Sequence, residues 1–274
     1  DSLPSNLPDG LGAPFLYVSF HGSKPSKAGS GVNSVYKYSR DGARLSDPLM
    51  SASDPLFEPR CMLILPDGSL LLNSANQHVS TVLRYASCSA DGTRASMGGF
   101  ITPDASSGLS HPYGLAADAD GSIYVSNQDT DVVLRFFGLN TAQPGQPMPA
   151  VGGGQYPGSF FQLNDGAEGV RGVAYDSASS LMWIADEQLG LYALNSTGDV
   201  VGHLDMASPI ALFAAGDGFV YVSSSTGDNS AGFVYAVSSK TFSVVTSFTA
   251  DSLAHPSGIV VNDGTLYVAS HTNK

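Results

Sequence analysis

The chain repeats one pattern of apolar and polar positions. A short apolar strand is followed by an Asp-Gly or equivalent turn, and then by a second strand that carries an aromatic residue or Leu near its start. Repeats of this size are typical of radial or stacked architectures, because one unit cannot bury its apolar face without a neighbour. Full copies occur at 63–74, 115–127, 173–186, 212–224 and 259–270, and a half-copy, FLYVSF, occurs at 15–20.

A third strand and a weaker fourth strand follow the copies. The third is exemplified by STVLRYAS at 80–87 and DVVLRFF at 131–137, and the fourth by FSVVTSFT at 242–249. Four short antiparallel strands joined by Gly-bearing hairpins form one blade of a β-propeller. The Asp-Gly pairs suit these hairpins because Gly adopts positive φ without a steric cost.

Counting these units predicts an all-β chain that forms a six-bladed β-propeller of four-stranded antiparallel blades, with 1–274 as a single domain. The terminal blade is predicted to be incomplete or to be closed by the N-terminal segment 1–14. A β-sandwich or an open solenoid is the alternative, but solenoid repeats are usually shorter than the ~40 to 55 residues seen here. The blades are predicted at 15–51, 59–103, 111–150, 169–207 and 208–250, with a half-blade at 255–274.

The charge balance narrows the range of partners. The chain has 12 Lys+Arg against 24 Asp+Glu, a net charge of −12, and its acidic residues are dispersed with no basic run. Binding to nucleic acid or to an anionic membrane surface is therefore not expected. Membrane insertion is not expected either, because no stretch approaches the roughly 18 apolar residues that a spanning helix needs.

The sequence favours a secreted glycoprotein. The chain opens on Asp rather than Met, as a mature terminus does after signal removal, and Lys is scarce. The sequon Asn195-Ser196-Thr197 predicts N-glycosylation at Asn195. The alternative is a trimmed cytosolic protein with a chance sequon.

The redox state of the two cysteines, Cys61 and Cys88, is left open by the sequence. Two Cys in a secreted chain suggest one disulfide. Cys61 opens the first strand of its repeat and Cys88 follows the third, so the two are expected at opposite ends of one sheet. Because bridged Cα atoms lie within about 7 Å, two free thiols or a loop that brings the residues together are the competing outcomes.

The segments that lead into the repeats carry a family resemblance. SHPYGLAAD at 110–118 and AHPSGIVV at 254–261 combine His-Pro-x-Gly with an apolar strand, a tight turn and a Tyr-Val strand. This pattern resembles the NHL repeat over most of 55–274. The resemblance implies a β-propeller but no single function, since this propeller type hosts lyases, lactonases and modules that bind protein or RNA.

The first enzyme that the resemblance suggests is the peptidyl-amidoglycolate lyase, an NHL-like propeller whose zinc is held by three His. A catalytic zinc needs such converging imidazoles and an open fourth position. Because no His stands at the matching positions, a zinc-dependent lyase is disfavoured; His111 and His255 precede Pro two places earlier. The matching residues are Arg60, Tyr113, Arg171, Ile210 and Ser257.

The second enzyme class is the calcium-dependent lactonase type, which uses acidic and amide side chains at the channel mouth. Hard cations need several converging oxygen ligands. The alternative is that such residues at strand ends bond their own backbone in turns, and this alternative is preferred. The sequence therefore predicts no catalytic residue, no metal ligand and no cofactor. Calcium is the one cofactor that stays open. The candidate calcium ligands are Asn73, Asn127 and Asp186, with Glu58 and Asp228 in adjoining loops.

Arg60, Tyr113 and Arg171 are the predicted ligand-binding residues, because they occupy equivalent positions in three successive blades. If the alignment holds, they face the central funnel on one side. Two guanidiniums beside a phenol would bind a carboxylate, a sulfate or an acidic sugar, since Arg presents a planar fork of donors. The alternative is that both Arg pair with neighbouring acids such as Glu58 and Glu168.

Aromatic residues and two histidines have competing structural and functional interpretations. Segment 138–169, which carries Phe160 and Phe161, is either a partner-binding loop or an ordered crossover that packs its rings. His21 and His271 follow matching second strands and are interpreted as loop residues, with metal binding as the alternative.

Aromatics that share one repeat position are expected to pack between blades rather than to stack on a ligand. They are Tyr17, Tyr124, Trp183, Tyr221 and Tyr267, with Leu71 in the sixth copy.

Taken together, these features predict an extracellular binding or structural module that presents loops and a funnel-mouth pocket to a protein or glycan partner. Such a module would suit a larger extracellular chain or assembly. The alternative is a propeller enzyme, either a lactonase-type hydrolase or a lyase, with its site at the same funnel.

Overall fold

A computed structural model describes residues 16–21, 33–45, 56–76, 79–89, 93–102, 107–152, 154–163, 169–226 and 231–270. The chain divides into two compact units, Asp1–Pro103 and Asp104–Lys274. Each unit is all-β in the part of the chain that is described, apart from a single 3₁₀ turn at Gln128–Thr130. No described helix has the length and hydropathy that crossing a membrane would require.

The first unit contains an antiparallel pair and a four-stranded antiparallel sheet. The pair consists of β1 (Leu16–Phe20) and β2 (Ser34–Tyr38). The sheet follows chain order and consists of β3 (Pro59–Ile64), β4 (Leu70–Asn76), β5 (Val79–Tyr85) and β6 (Ser96–Ile101).

The second unit contains three four-stranded antiparallel sheets and a terminal pair. The first strands of neighbouring sheets, β7, β11, β15 and β19, lie next to one another in that order. The first sheet has β7 (Pro112–Ala117), β8 (Ile123–Asn127), β9 (Val132–Phe136) and β10 (Ser159–Gln162). The second has β11 (Val170–Asp176), β12 (Leu181–Asp186), β13 (Gly190–Leu194) and β14 (Val200–Leu204). The third has β15 (Pro209–Ala214), β16 (Phe219–Ser225), β17 (Gly232–Ser238) and β18 (Ser243–Phe248), and the pair is β19 (Pro256–Asn262) with β20 (Thr265–Ser270).

First hairpins that carry an Asp-Gly pair follow the predicted turn chemistry, whereas the turn between β11 and β12 carries no Gly. Gly68, Gly121 and Gly264 close the turns after β3, β7 and β19 with φ of +79°, +83° and +72°. A side chain with a Cβ rarely adopts this conformation, so the Asp-Gly pattern places the hairpins where the sequence predicted them.

The core lies between the sheets, as the shared aromatic position predicted. Trp183 of β12 is 1% exposed and packs with Val220 and Val222 of the next sheet. Tyr124 of β8 packs with Val170 of β11. Trp183 and Tyr124 therefore bury the faces of adjacent sheets against each other, which is the interpretation that the sequence favoured for this position.

Neighbouring first strands approach each other closely at the third residue of β7 and of β11, which is glycine in both. A Cβ on Gly114 of β7 would lie 2.9 Å from the carbonyl oxygen of Arg171 and 2.9 Å from the amide nitrogen of Val173 on β11. A Cβ on Gly172 of β11 would lie 2.7 Å from the carbonyl oxygen of Ile210 on β15. Glycine at these two positions is thus required by the contact between neighbouring first strands.

One predicted boundary is wrong. The blade assigned to 111–150 takes its fourth strand, β10, from Ser159–Gln162, beyond that boundary. Phe160 of β10 is 3% exposed, and its ring meets Tyr124 edge-on at 4.9 Å. Segment 138–169 therefore contains an ordered strand whose Phe160 ring packs in the core. Burial of this ring stabilises the strand, although the Gly- and Pro-rich sequence around it shows no strand pattern.

The cysteines are free thiols in the described chain. Cys88 lies beside Tyr17, with 3.9 Å between its sulfur and the phenol oxygen. The guanidinium of Arg94 lies over the Tyr17 ring at 5.3 Å. Burial raises the pKa of Tyr17, so the phenol stays protonated and can donate to the sulfur.

Candidate functional site

The first strand of each repeat begins with an irregularity that singles out one residue. In β3, β7, β11, β15 and β19 the register shifts just after the first residue, as it does at a β-bulge. Bulges re-aim side chains, and they are enriched beside binding sites. The second residue of these strands is, in order, Arg60, Tyr113, Arg171, Ile210 and Ser257, so the alignment that defined the candidate residues holds in their strand positions.

In the second unit, Arg171 and Tyr113 come together. The Arg171 guanidinium lies over the Tyr113 ring, with 5.6 Å from its carbon to the ring centroid. Its Nη2 donates to Glu187 Oε2 at 2.6 Å, and the Arg171 side chain is 15% exposed. Stacking and a short charge-assisted hydrogen bond hold the guanidinium in one orientation.

The backbone of Arg171 is fixed from the neighbouring sheet. Ser126 of β8 donates its hydroxyl proton to the Arg171 carbonyl oxygen. The same hydroxyl accepts the N–H of Gly114 at 2.7 Å. The start of β11 is therefore tied to β7 and β8, and the Arg171 side chain extends from a rigid base.

Arg60 lies in the first unit with partners of its own. Its Nη1 is 3.2 Å from His21 Nε2, and its Nη2 is 3.8 Å from Glu58 Oε2. Ser19 donates to the Arg60 carbonyl oxygen at 2.8 Å, as Ser126 does to that of Arg171. The two arginines thus share their backbone setting but differ in their side-chain partners.

Both arginines have acidic partners, as the alternative interpretation expected. The partner of Arg60 is Glu58, whereas that of Arg171 is Glu187; Glu168 lies outside the described residues. Sequence reasoning missed Glu187. The signal was its place directly after β12, because the β11–β12 hairpin brings that turn back to the start of β11.

Two of the candidate calcium ligands at the strand ends, Asn127 and Asp186, bond to backbone. The Asn127 amide donates to the Gly108 carbonyl at 2.7 Å, and Asp186 Oδ1 accepts two N–H groups of its own turn at 2.9 and 2.8 Å. Asn73 lies one residue before the equivalent position, which is Ser74. Among the described residues, no cluster of three or more His, Cys, Asp or Glu is arranged to hold a metal ion, and Asp228 lies outside them.

One histidine of the lead-in segments has an acidic partner. His111 Nδ1 lies 3.1 Å from Asp129 Oδ1, and the His111 side chain is 10% exposed. His111 has a φ of +51°, a conformation that is uncommon for a residue other than Gly. His21 contacts Arg60, whereas His271, its predicted counterpart, lies outside the described residues.

Comparison with known proteins supports the architecture. No family model matches the chain, and no curated protein matches it in sequence. A streptogramin B lyase is 13% identical, with a TM-score of 0.55 over 95% of this chain and 88% of that one. An inactive variant of the virginiamycin B lyase from Staphylococcus aureus, solved with quinupristin, is 13% identical, with a TM-score of 0.54 over 93% and 96% of the two chains.

A gluconolactonase from Xanthomonas campestris is also similar. It is 16% identical, with a TM-score of 0.51, and the match covers 70% of this chain and 62% of that one. These structures are β-propeller proteins, and at such identities the likeness concerns the fold alone. The chain has an all-β fold of the β-propeller kind, built from four-stranded antiparallel sheets.

Proposed function

We propose that the chain is an extracellular binding module that presents loops and the starts of its first strands to a protein or glycan partner. The observation that carries this proposal is Arg171, which is held by Tyr113, Glu187 and Ser126 at a bulge. A guanidinium fixed by stacking and pairing is preorganised to meet a polar partner, because little rotamer freedom is left to lose on binding. The chemistry suits a carboxylate, a sulfate or the hydroxyl groups of a sugar.

The proposal includes a single NHL-type domain of six blades. The described residues form four four-stranded sheets and two pairs, which supports six. The β1–β2 pair has the features of the middle strands of a blade, because Ser19 of β1 bonds the next first strand as Ser126 of β8 does. The β19–β20 pair has those of a first and a second strand.

Extracellular location is part of the same proposal. Asn195 lies in the turn between β13 and β14, beside the exposed residues Ser196 and Thr197. Thr197 Oγ1 donates to Asn195 Oδ1 at 2.8 Å. Expression in a secreting eukaryotic host should add a glycan that Asn195→Gln removes, and an unchanged mass for the two proteins would contradict the assignment.

Array binding tests the function. Labelled protein is applied to glycans that are neutral, carry a uronic acid or are sulfated, and to immobilised extracellular-matrix proteins. We expect at least one to bind, and Arg171→Ala to lower the signal at least tenfold. Arg84→Ala is the matched control, because Arg84 also pairs with an acid, Asp67, at 2.7 Å but lies on β5. Equal binding by wild type and Arg171→Ala would refute the proposed surface.

Arg60→Ala tests the equivalent position in the first unit. Its affinity is measured alone and together with Arg171→Ala for the same array component. If Arg60 belongs to the binding surface, the double variant should bind more weakly than either single variant. A double variant that binds as well as Arg171→Ala alone would remove Arg60 from the site.

A propeller enzyme is the second candidate. The similar structures include lyases and a gluconolactonase, and the His111–Asp129 pair lies two residues from Tyr113. An imidazole oriented by a carboxylate is a common general base. Stoichiometric calcium or zinc in the purified protein, or turnover of quinupristin or gluconolactone that His111→Ala abolishes, would favour this candidate over the binding module.

A further inference from the structure

A groove in the second unit lies beside the Arg171–Glu187 pair. Its volume is about 420 Å³, within the range of roughly 300–1,000 Å³ that small-molecule sites occupy. Glu187 points to Arg171, while the next residue, Gln188, lines the groove, so one turn borders both places. The lining residues are Gln188, Leu189, Tyr192, His203, Asp205, Met206 and Ala207.

His203 forms a fixed surface in this groove. It pairs with Tyr192 across β13 and β14, and the two rings lie 4.5 Å apart at 34°. Phe161 also contacts Tyr192, with 5.6 Å between the ring centroids. The His203 side chain is nevertheless 38% exposed, so the imidazole is held by Tyr192 and remains accessible.

The hydrogen bonding of His203 determines which donor and acceptor atoms the groove presents to a ligand. Its Nε2 lies 2.8 Å from the Leu189 carbonyl oxygen, which can only accept, so Nε2 carries the proton. In the neutral ring Nδ1 is then an acceptor. Asp205 Oδ1 lies 3.8 Å from Nδ1, and the Asp205 side chain is 99% exposed. Because neither atom carries a proton, they do not bond each other, and both can accept hydrogen bonds from a ligand.

We propose that the groove binds a neutral saccharide. Adjacent hydroxyl groups of one sugar would donate to His203 Nδ1 and Asp205 Oδ1, and the Gln188 amide would bond a third. Leu189, Met206 and Ala207 supply an apolar edge for the C–H face of the ring.

Other ligand classes fit the groove less well. Anions are disfavoured by Asp205 and by the net charge of −12. A metal ion would find too few ligands, since no cluster of three His, Cys, Asp or Glu occurs in the described residues. A primary ammonium would satisfy the acceptors but not the apolar edge.

This inference rests on the proposed function, because it assigns a ligand class to the surface beside Arg171. The test is ligand-observed saturation-transfer NMR with neutral trisaccharides of glucose, N-acetylglucosamine, galactose and mannose. We expect at least one to bind, His203→Ala to weaken its affinity at least tenfold, and Asp205→Ala to weaken it several-fold. Val201→Ala is the control, because Val201 is 47% exposed on the same strand but does not line the groove.

The outcomes separate the two claims. If no trisaccharide binds, or if both His203→Ala and Asp205→Ala retain wild-type affinity, the saccharide site is refuted, even where Arg171→Ala abolishes binding to an array component. If His203→Ala abolishes saccharide binding while Arg171→Ala changes no affinity, the groove stands and the Arg171 surface fails. Binding of lysine methyl ester or Zn²⁺ in place of every saccharide would also refute the inference.

Discussion

Gly114 and Gly172 illustrate how single residues determine the spacing of the sheets. Both lie in the bulge of a first strand, and both leave room for the backbone of the next first strand. Gly258 occupies the same place in β19, but among the described residues a Cβ there would meet Ala269 alone, at 3.4 Å. In the described part of the chain, glycine at this strand position is therefore required by packing in β7 and β11 but not in β19.

Substitution by Ala tests this difference. Gly172→Ala should lower the free energy of unfolding by about 1–3 kcal/mol, because its Cβ would meet fixed backbone at 2.7 Å. Gly258→Ala should be neutral or stabilising, since the unfolded chain loses freedom and none of the described atoms must move far. Urea unfolding measures both, and an equal loss in the two variants would contradict the packing argument.

Tyr124 predicts a dependence of stability on alkaline pH. Burial, and then the adjacent Asp118 carboxylate, raise the pKa of Tyr124 well above its usual 10.0. As pH rises, the phenol of Tyr124 ionises in the unfolded chain before it ionises in the folded protein. Its contribution to the free energy of unfolding is therefore complete below about pH 10 and declines above that pH. The free energy of unfolding should fall between pH 9 and pH 11.

The control for this pH dependence is Tyr124→Phe. This variant lacks the hydrogen bond to Asp118, 2.9 Å in the native protein, and should be less stable at pH 9. Between pH 9 and pH 11, the free energy of unfolding of this variant should fall by less than that of the wild type. A loss as large as that of the wild type would show that other groups cause the dependence.

At the residue scale, the repeat could be used to predict positions but not partners. Aligning the copies correctly placed Arg60, Tyr113 and Arg171 at one strand position. It could not identify Glu187 as the partner of Arg171, because pairing depends on how the β11–β12 hairpin closes. His21 was missed as a contact of Arg60 for a similar reason, since the contact joins two different sheets.

At the scale of the element, the fourth strands of two sheets differ in burial. In β10, Phe160 is 3% exposed and packs on Tyr124. In β18, every residue is exposed, and Phe248 is 47% exposed. The outer strand of one sheet is thus part of the core, while that of the other is not.

Truncating these two phenylalanines measures the difference. Phe160→Ala should cost about 3–5 kcal/mol of unfolding free energy, because it leaves a cavity beneath Tyr124. Phe248→Ala should change it by less than about 0.5 kcal/mol, as exposed positions usually do. A small effect of Phe160→Ala would mean that β10 contributes little to the sheet.

Strands with alternating or apolar runs were predictable, and β10 was not. The third strands at 80–87 and 131–137 overlap β5 and β9, because their apolar residues are buried in the core. Twenty-two residues separate the end of β9 from the start of β10, and this Gly- and Pro-rich stretch lacks the alternation of apolar and polar residues that is typical of a strand. Tertiary burial rather than local pattern determines its position.

At the scale of the whole molecule, repetition predicts the fold better than it predicts the function. The copies specify sheets of four antiparallel strands, and the solved structures with this fold differ in what they do. The function of this chain therefore depends on the side chains that its sheets carry. The Arg171–Glu187 pair and the groove beside it are the features from which binding is inferred.

Isothermal titration tests the central claim most directly. The array component that binds wild type most strongly is titrated into wild type, Arg171→Ala and the Arg84→Ala control at pH 7 and physiological salt. The binding-module account predicts a saturable isotherm without turnover, at least a tenfold weaker Kd for Arg171→Ala, and no change for Arg84→Ala. The same Kd for wild type and Arg171→Ala, or conversion of the ligand to a product during the titration, would contradict it.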